Sequence, residues 1–443
     1  MIELEGRMLA GLDEFMLRLG HLKVLCAAAA DVGGSWFRVR REAAKILTRP
    51  VLVPADAFSL VANYLRRKRL CSFKQGDDKA ETPGESGKYR YPNLVVQSDE
   101  EGLHLISSVG EPEIWWQDFC LASPGVTSRV GAITIAAKAG SKTGLSHISD
   151  WAQFVGLISR VGEVSPIGRL IVKLGPTVID DPSCSNAYII GFERIAFAFT
   201  IIGADIDCFS RLAPKLLRLS GPIRKAEGTE IFAETVQEIS QEARSARYLS
   251  VGRKNKLYEN MRDLENAARR GTRELGSTST AWHRISSRLE TYVDIGFLEK
   301  GRSGEEERFE YVYYPTSALD RAVQSLNEAQ DARGWLEEHL AYSLFGKEWS
   351  ESSLVEDELL ADLPEIVSSL ARPTGPLPID AISIGLVWRR AEKGKPISIS
   401  AARHAIEQLA LSRSEIARLS RGGFGERAEF VSLDIRKLEE LIA

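Results

Sequence analysis

The stretch Ala281-Trp282-His283-Arg284-Ile285-Ser286-Ser287-Arg288-Leu289-Glu290-Thr291-Tyr292-Val293-Asp294-Ile295-Gly296-Phe297-Leu298-Glu299-Lys300 changes its hydrophobic period near Gly296. Ile285, Leu289, Tyr292 and Val293 recur at helical spacing before it. Ser277–Thr280 supplies N-cap residues, and Gly296 supplies the stop. Phe297–Lys300 then reads as a short strand, Gly301–Glu306 as a loop, and Arg308–Pro315 as a second strand. With Ile285, Leu289 and Tyr292 turned inward, the opposite face is expected to present His283, Arg284, Ser287, Arg288 and Thr291.

The same order, helices first and a ribbon last, recurs on either side. Upstream, Asn186–Ile202 and Ile206–Leu219 read as buried helices. Thr229–Arg270 reads as polar helix with a break at Ser250-Val251-Gly252. Near the start of the chain, residues 6–30 carry Leu9, Leu12, Phe15, Met16, Leu19 and Leu22 at helical spacing. Asp56 is expected to cap a helix holding Phe58, Val61, Leu65 and Leu70. Gly76–Gly87 reads as a connection and residues 89–108 as a β-hairpin. Residues 126–173 suggest a shrunken copy: a short run Val130–Ala137, a helix capped by Asp150, and a stop at Ser165-Pro166-Ile167-Gly168. Arg372–Pro378, with three prolines, reads as a linker. Beyond it come a helix over Ile382–Arg390, a second capped by Ser398 or Ser400, and a strand over Ala428–Ile435. The expected division is 1–122, 123–180, 181–317, an acidic helical connector over 318–372, and 373–443. The repetition is one of element order, not of exact sequence.

Within residues 276–316, Asp294-Ile295-Gly296-Phe297-Leu298 resembles the winged-helix DNA-binding superfamily. There an amphipathic third helix runs into an acidic–apolar–Gly–apolar–Leu turn and then a two-stranded wing. The resemblance implies an α+β, helix-rich fold of several winged-helix-like units joined by long helices. It also implies that His283, Arg284, Ser287 and Arg288 face a major groove, with Arg302 on the wing beside the adjacent backbone. Glu305, Glu306 and Glu307 at the same tip would repel phosphate. Winged helices also serve as protein-docking modules, so fold alone does not choose the partner.

Length and charge narrow the classes. The chain has 443 residues, net charge −4, 44% hydrophobic and 27% charged residues. At roughly 150 residues per domain this suggests two to four domains. It excludes a disordered polymer and a uniformly basic coating protein. Basicity is local instead. Gly34–Lys74 carries ten Lys/Arg against two acids, net +8 over 41 residues. These include Arg38, Arg40 and Arg41, the run Arg66-Arg67-Lys68-Arg69, and Lys74. Neutralising phosphates with such a patch releases counterions and makes binding salt-dependent. Lys88, Tyr89, Arg90 and Tyr91 are expected to extend that face along the hairpin. In the last unit Arg389, Arg390, Lys393, Lys395, Arg403 and Arg421 suggest a further basic surface. Between Glu348 and Glu365 there are seven acids and no Lys or Arg.

Five widely spaced cysteines, without any Cys-x-x-Cys, point to free thiols in a reducing compartment rather than a disulfide framework or a zinc site. The apolar stretch Ala187–Ile206 contains Glu193, Arg194 and Asp205, which argues against a membrane span. The expected location is cytoplasmic. No P-loop, zinc-protease, nucleophile-elbow or dinucleotide fingerprint occurs. Only loose carboxylate groups remain: Glu111/Glu113, Asp180-Asp181 and Asp434-x-x-Lys437. No catalytic residue, cofactor or metal is expected, and a divergent metal-dependent nuclease is the enzyme alternative. The expectation is a non-enzymatic duplex-DNA-binding subunit of a larger DNA-processing or phage-defence complex. Its partners would be double-stranded DNA and motor or nuclease subunits, and a homo-oligomer stays open. The alternatives are a kleisin-like adaptor that bridges ATPase subunits, with 318–371 as an exposed connector, and a transcriptional regulator.

Overall fold

In the computed structural model, Gly296 ends the decisive helix as its sequence requires. Its amide and that of Phe297 both bond to the Tyr292 carbonyl, at 3.0 and 2.8 Å, and its φ of 100° suits only glycine. The structure describes residues 2–9, 19–47, 49–79, 90–115, 118–119, 122, 143–175, 189, 191–219, 221–269, 280–303, 310–349, 356–370, 375–420 and 429–442. Over these the chain is α+β and helix-rich, with four small sheets.

The first part contains α1 (Gly20–Val32), α2 (Trp36–Leu47), β1 (Pro50–Leu52), α3 (Phe58–Lys68), β2 (Ser72–Gln75), β3 (Leu94–Asp99), β4 (Gly102–Ser107) and β5 (Glu113–Trp115). The β3–β4 hairpin matches the expected ribbon, and its register runs from Leu94 opposite Ser107 to Asp99 opposite Gly102. Three readings are corrected. Residues 6–9 belong to no helix. No side-chain cap bond is made by Asp56, which lies in a 3-10 turn ahead of α3. Helix α2 was not anticipated. Its buried Val39, Ala43 and Leu47 fall at i, i+4 and i+8, while the intervening positions are charged. The sheet also departs from a plain helix–helix–ribbon unit, because β2 pairs parallel to β3 and β1 pairs with β5.

Helices α4 (Thr143–Phe154) and α5 (Pro166–Leu174) follow. Here Ser165-Pro166 starts a helix instead of stopping one. Ser165 Oγ accepts from the Gly168 amide at 3.1 Å, and Pro166 occupies the first helical position, where its missing N–H costs nothing. Helix α5 packs against α1 as well as helices near the other end of the chain. Ser165→Ala removes the cap and is expected to cost about 1 kcal/mol, read as a lower urea midpoint. An unchanged midpoint would mean that packing alone holds this helix start.

The third part runs through α6 (Glu193–Ala204), α7 (Ile206–Leu217), β6 (Ile223–Arg224), α8 (Lys225–Ser245), α9 (Val251–Arg269), α10 (Thr280–Ile295), β7 (Leu298–Ser303), β8 (Glu310–Pro315) and α11 (Ser317–Glu328). Its sheet order is β6-β8-β7, all antiparallel. A π-turn over Trp335–His339 leads into α12 (Leu340–Phe345).

The last part holds α13 (Glu356–Leu370), β9 (Leu377–Pro378), α14 (Ile379–Glu392), α15 (Ile399–Ser412), β10 (Ala417–Ser420), β11 (Phe430–Leu433) and α16 (Ile435–Ile442). Ser398 caps α15 through the Ala401 amide at 3.1 Å. The sheet order β9-β11-β10 repeats that of the third part, so both have strand, helices, then a ribbon whose second strand is central.

The expected exposed connector is corrected. Trp335, Leu340, Leu363, Ile366 and Leu370 are buried, and α13 packs against α14, α16 and α5. Its acids neutralise the next helix. Glu358 takes Arg390 at 2.7 Å and also Lys395, Asp362 takes Lys393, and Glu365 takes Arg389. The basic surface expected there is thereby largely consumed inside the fold. One contiguous apolar core joins all parts of the described chain.

Candidate nucleic-acid interface

Helix α3 buries Val61, Ala62, Tyr64 and Leu65 and packs against β4. Its position is held by a buried carboxylate. Asp118 accepts Tyr64 Oη at 3.0 Å, a 2.9 Å ion pair from Arg90, and the Tyr91 hydroxyl. Tyr91 Oη in turn accepts the Trp115 amide at 2.9 Å. Burial first, and the Asp118 charge second, hold both tyrosine hydroxyls well above their ordinary pKa. Arg90, stacked 4.8 Å over Trp115, and buried Tyr91 are therefore structural. They do not extend a basic face, and Lys88 and Tyr89 lie outside the described residues.

The inner face is settled by that network, so the last turn projects outward. Arg66, Arg67, Lys68 and Arg69 are all exposed. Arg66 lies 4.4 Å over the Phe73 ring on β2, the strand that also carries half-buried Lys74. Among the described residues, no acid pairs with Arg66, Arg67, Lys68 or Arg69. Cations are favoured at a helix C-terminus by about 0.3–1 kcal/mol. That accounts for a basic last turn but not for Arg69. Its φ of +54° makes it the one non-glycine residue in the left-handed region among those described. There its amide bonds to the Arg66 carbonyl, and Leu70 bonds to the Leu65 carbonyl at 3.0 Å. Glycine usually fills this position, and an L-residue costs roughly 1–2 kcal/mol. Arg69→Gly is accordingly expected to raise folding stability by about 1 kcal/mol in urea titration. No gain would mean that the arginine side chain makes a compensating contact.

Helix α2 offers a second set. Arg38 and Arg41 are exposed one turn apart. Arg40 is diverted, its Nε donating to Ser149 Oγ at 3.0 Å and its guanidinium lying 5.7 Å from the Trp36 ring. Lys45 is paired with Glu42 at 2.7 Å. Helices α2 and α3 do not pack on each other, so the two sets are separate on the chain's surface.

The expected recognition helix is corrected. In α10 every residue from Ile285 to Tyr292 is buried. Arg288 is 1% exposed, pairs with Asp205 at 2.7 and 2.9 Å, and donates to the Leu9 carbonyl at 3.0 Å. Burial works against its charge, and Asp205 more than offsets this, so its pKa stands above the ordinary value. Ser287 is buried, its carbonyl accepting Thr291 Oγ1, and Glu290 takes Tyr313 Oη at 2.7 Å together with Lys300. Segment 2–9, α8 and α9 cover the face that helical periodicity assigned to solvent. Arg302 stands on β7 opposite Tyr311, and His283 and Arg284 lie in the first turns of α10. The side chains of these three, and all of Arg421, fall outside the described residues.

Among the described residues, no group of three His, Cys, Asp or Glu side chains is placed to hold a metal ion. Asp434 Oδ1 accepts the Lys437 amide at 3.3 Å, as a helix start does. Cys26, Cys71 and Cys208 are free and buried, and burial pushes the first two up to about 12 and about 11. No described helix is long and apolar enough to cross a membrane. No family model, curated protein or solved structure matches the chain.

Proposed function

We propose that the chain is a non-enzymatic duplex-DNA-binding subunit of a larger assembly, gripping phosphates through the end of α3. The observation that carries this is the exposed, unneutralised run Arg66–Arg69, with an arginine held where glycine would be more stable. Strained backbone is retained where the side chain has work to do. The run stands in a chain whose other basic stretches are spent on internal acids. The repeated strand order in the third and last parts supports a winged-helix ancestry for both. Neither presents a basic recognition helix in its described residues, so affinity comes from the first part.

The test is a duplex-DNA titration followed by fluorescence anisotropy at several salt concentrations, with Mg²⁺ present and the products run on a gel. Micromolar or tighter binding with a steep negative salt slope and intact product is expected. Absence of binding at low salt would overturn the proposal, and cleaved product would make the chain a nuclease.

The adaptor reading has one observation in its favour. The outer face of α15 shows His404, Gln408 and Leu411, the last 74% exposed. Its one arginine, Arg403, is buried against Asp380 and Glu407. A neutral face with an exposed leucine suits a protein partner better than a phosphate backbone.

A further inference from the structure

Residues Ile2–Leu9 form no helix or strand, yet Ile2, Leu4, Met8 and Leu9 are each 5% exposed or less. Their backbone is satisfied mainly by side chains of the third part. Glu5 and Arg7 donate to the two oxygens of Asp207 at 2.7 and 2.6 Å. Leu9 donates to Asp205 at 2.8 Å and accepts from Arg288 at 3.0 Å. Leu4 donates to Tyr248 Oη, Ile2 accepts from Arg211, and Met8 accepts from Asn260 at 2.7 Å. This is how a receptor reads an extended peptide: through main-chain groups, with pockets for alternate side chains.

We infer that the groove formed by α7, α8, α9 and α10 is a peptide-docking site, and that it exchanges its occupant with residues 2–9 of a second copy of this chain. Two features carry the step. First, the groove cannot stand empty, because Asp207 and the Asp205–Arg288 pair are buried and would lose their partners. Release of one segment is therefore coupled to capture of another. Second, the groove is selective as well as adhesive. Gly6 has φ +74°, and a Cβ there would lie 2.9 Å from Arg253 Cβ. An occupant needs apolar residues at the positions of Ile2, Leu4, Met8 and Leu9 with glycine between, a pattern that a second copy meets without new contacts. Exchange of identical elements is a low-cost route to association.

The test mixes two batches of the full chain, one affinity-tagged and one fluorescent, and measures fluorescence on the captured fraction. Co-capture is expected, with loss on adding excess synthetic peptide of residues 2–9. The same peptide carrying Gly6→Val should compete at least tenfold more weakly. No co-capture, or co-capture indifferent to the peptide, would overturn the inference. A companion chain carries a protease site in place of residues 11–17. After cutting, its groove should exchange its segment for labelled peptide. If the cut chain takes peptide while uncut copies never pair, the groove belongs to a partner's peptide and the second copy is excluded.

Discussion

Arg288→Ala is expected to lower folding stability by about 3–5 kcal/mol, the cost of leaving one member of a buried ion pair alone. The arginine is fully enclosed, holds Asp205 with two bonds, lies 4.8 Å from the Phe232 ring, and supplies the Leu9 carbonyl with its donor. Removing it strands a carboxylate that also anchors the Leu9 amide. The urea midpoint of the full chain measures the loss. The double variant Arg288→Met with Asp205→Asn should recover much of it, because no unpaired charge remains and the amide oxygen still accepts from Leu9. The alternative is sharply different. An arginine that read a base edge would leave the midpoint alone and weaken DNA binding, at about 1–3 kcal/mol. That outcome would restore α10 as a recognition helix.

Reversing Arg66, Arg67 and Arg69 to Glu is expected to abolish most DNA affinity while leaving the fold intact. All three side chains are exposed, so no buried partner is stranded. Each phosphate that is no longer neutralised should reduce the magnitude of the slope of log K against log salt by about 0.9, so the slope should flatten by close to three units. Anisotropy titrations at several salt concentrations read both effects. Arg38→Glu with Arg41→Glu on α2 tests whether the second set shares the footprint, and a smaller loss is expected because it has fewer cations. Unchanged binding in the triple variant would remove the first part from the interface and leave the adaptor reading in front.

Much of the local structure was legible. Gly296, Ser398 and the hairpin at 94–107 behave as their residue types dictate, because caps and turns are decided within a few residues. The basic run at the end of α3 was equally plain, since a block of like charge with no nearby acid has little choice but solvent. Helix α2 was missed because its arginines masked a narrow apolar stripe. Ser165-Pro166 was misread because the same pair that stops one helix starts the next.

What sequence alone determined is the helix-rich α+β character, the positions of most stops and starts, and a +8 patch in a chain of net −4. What only the tertiary structure decided is which charges are free. Arg288 and Arg66 look alike in a helical projection. One meets Asp205, 83 residues away in the chain, and the other meets water. Arg390 likewise finds Glu358 on the neighbouring helix. Periodicity assigns polar residues to an outer face on the premise that outside means solvent. That premise fails wherever another segment supplies the opposite charge or the missing hydrogen bond, as segment 2–9 does over α10. The pairing is non-local, so no reading of α10 alone could have found it.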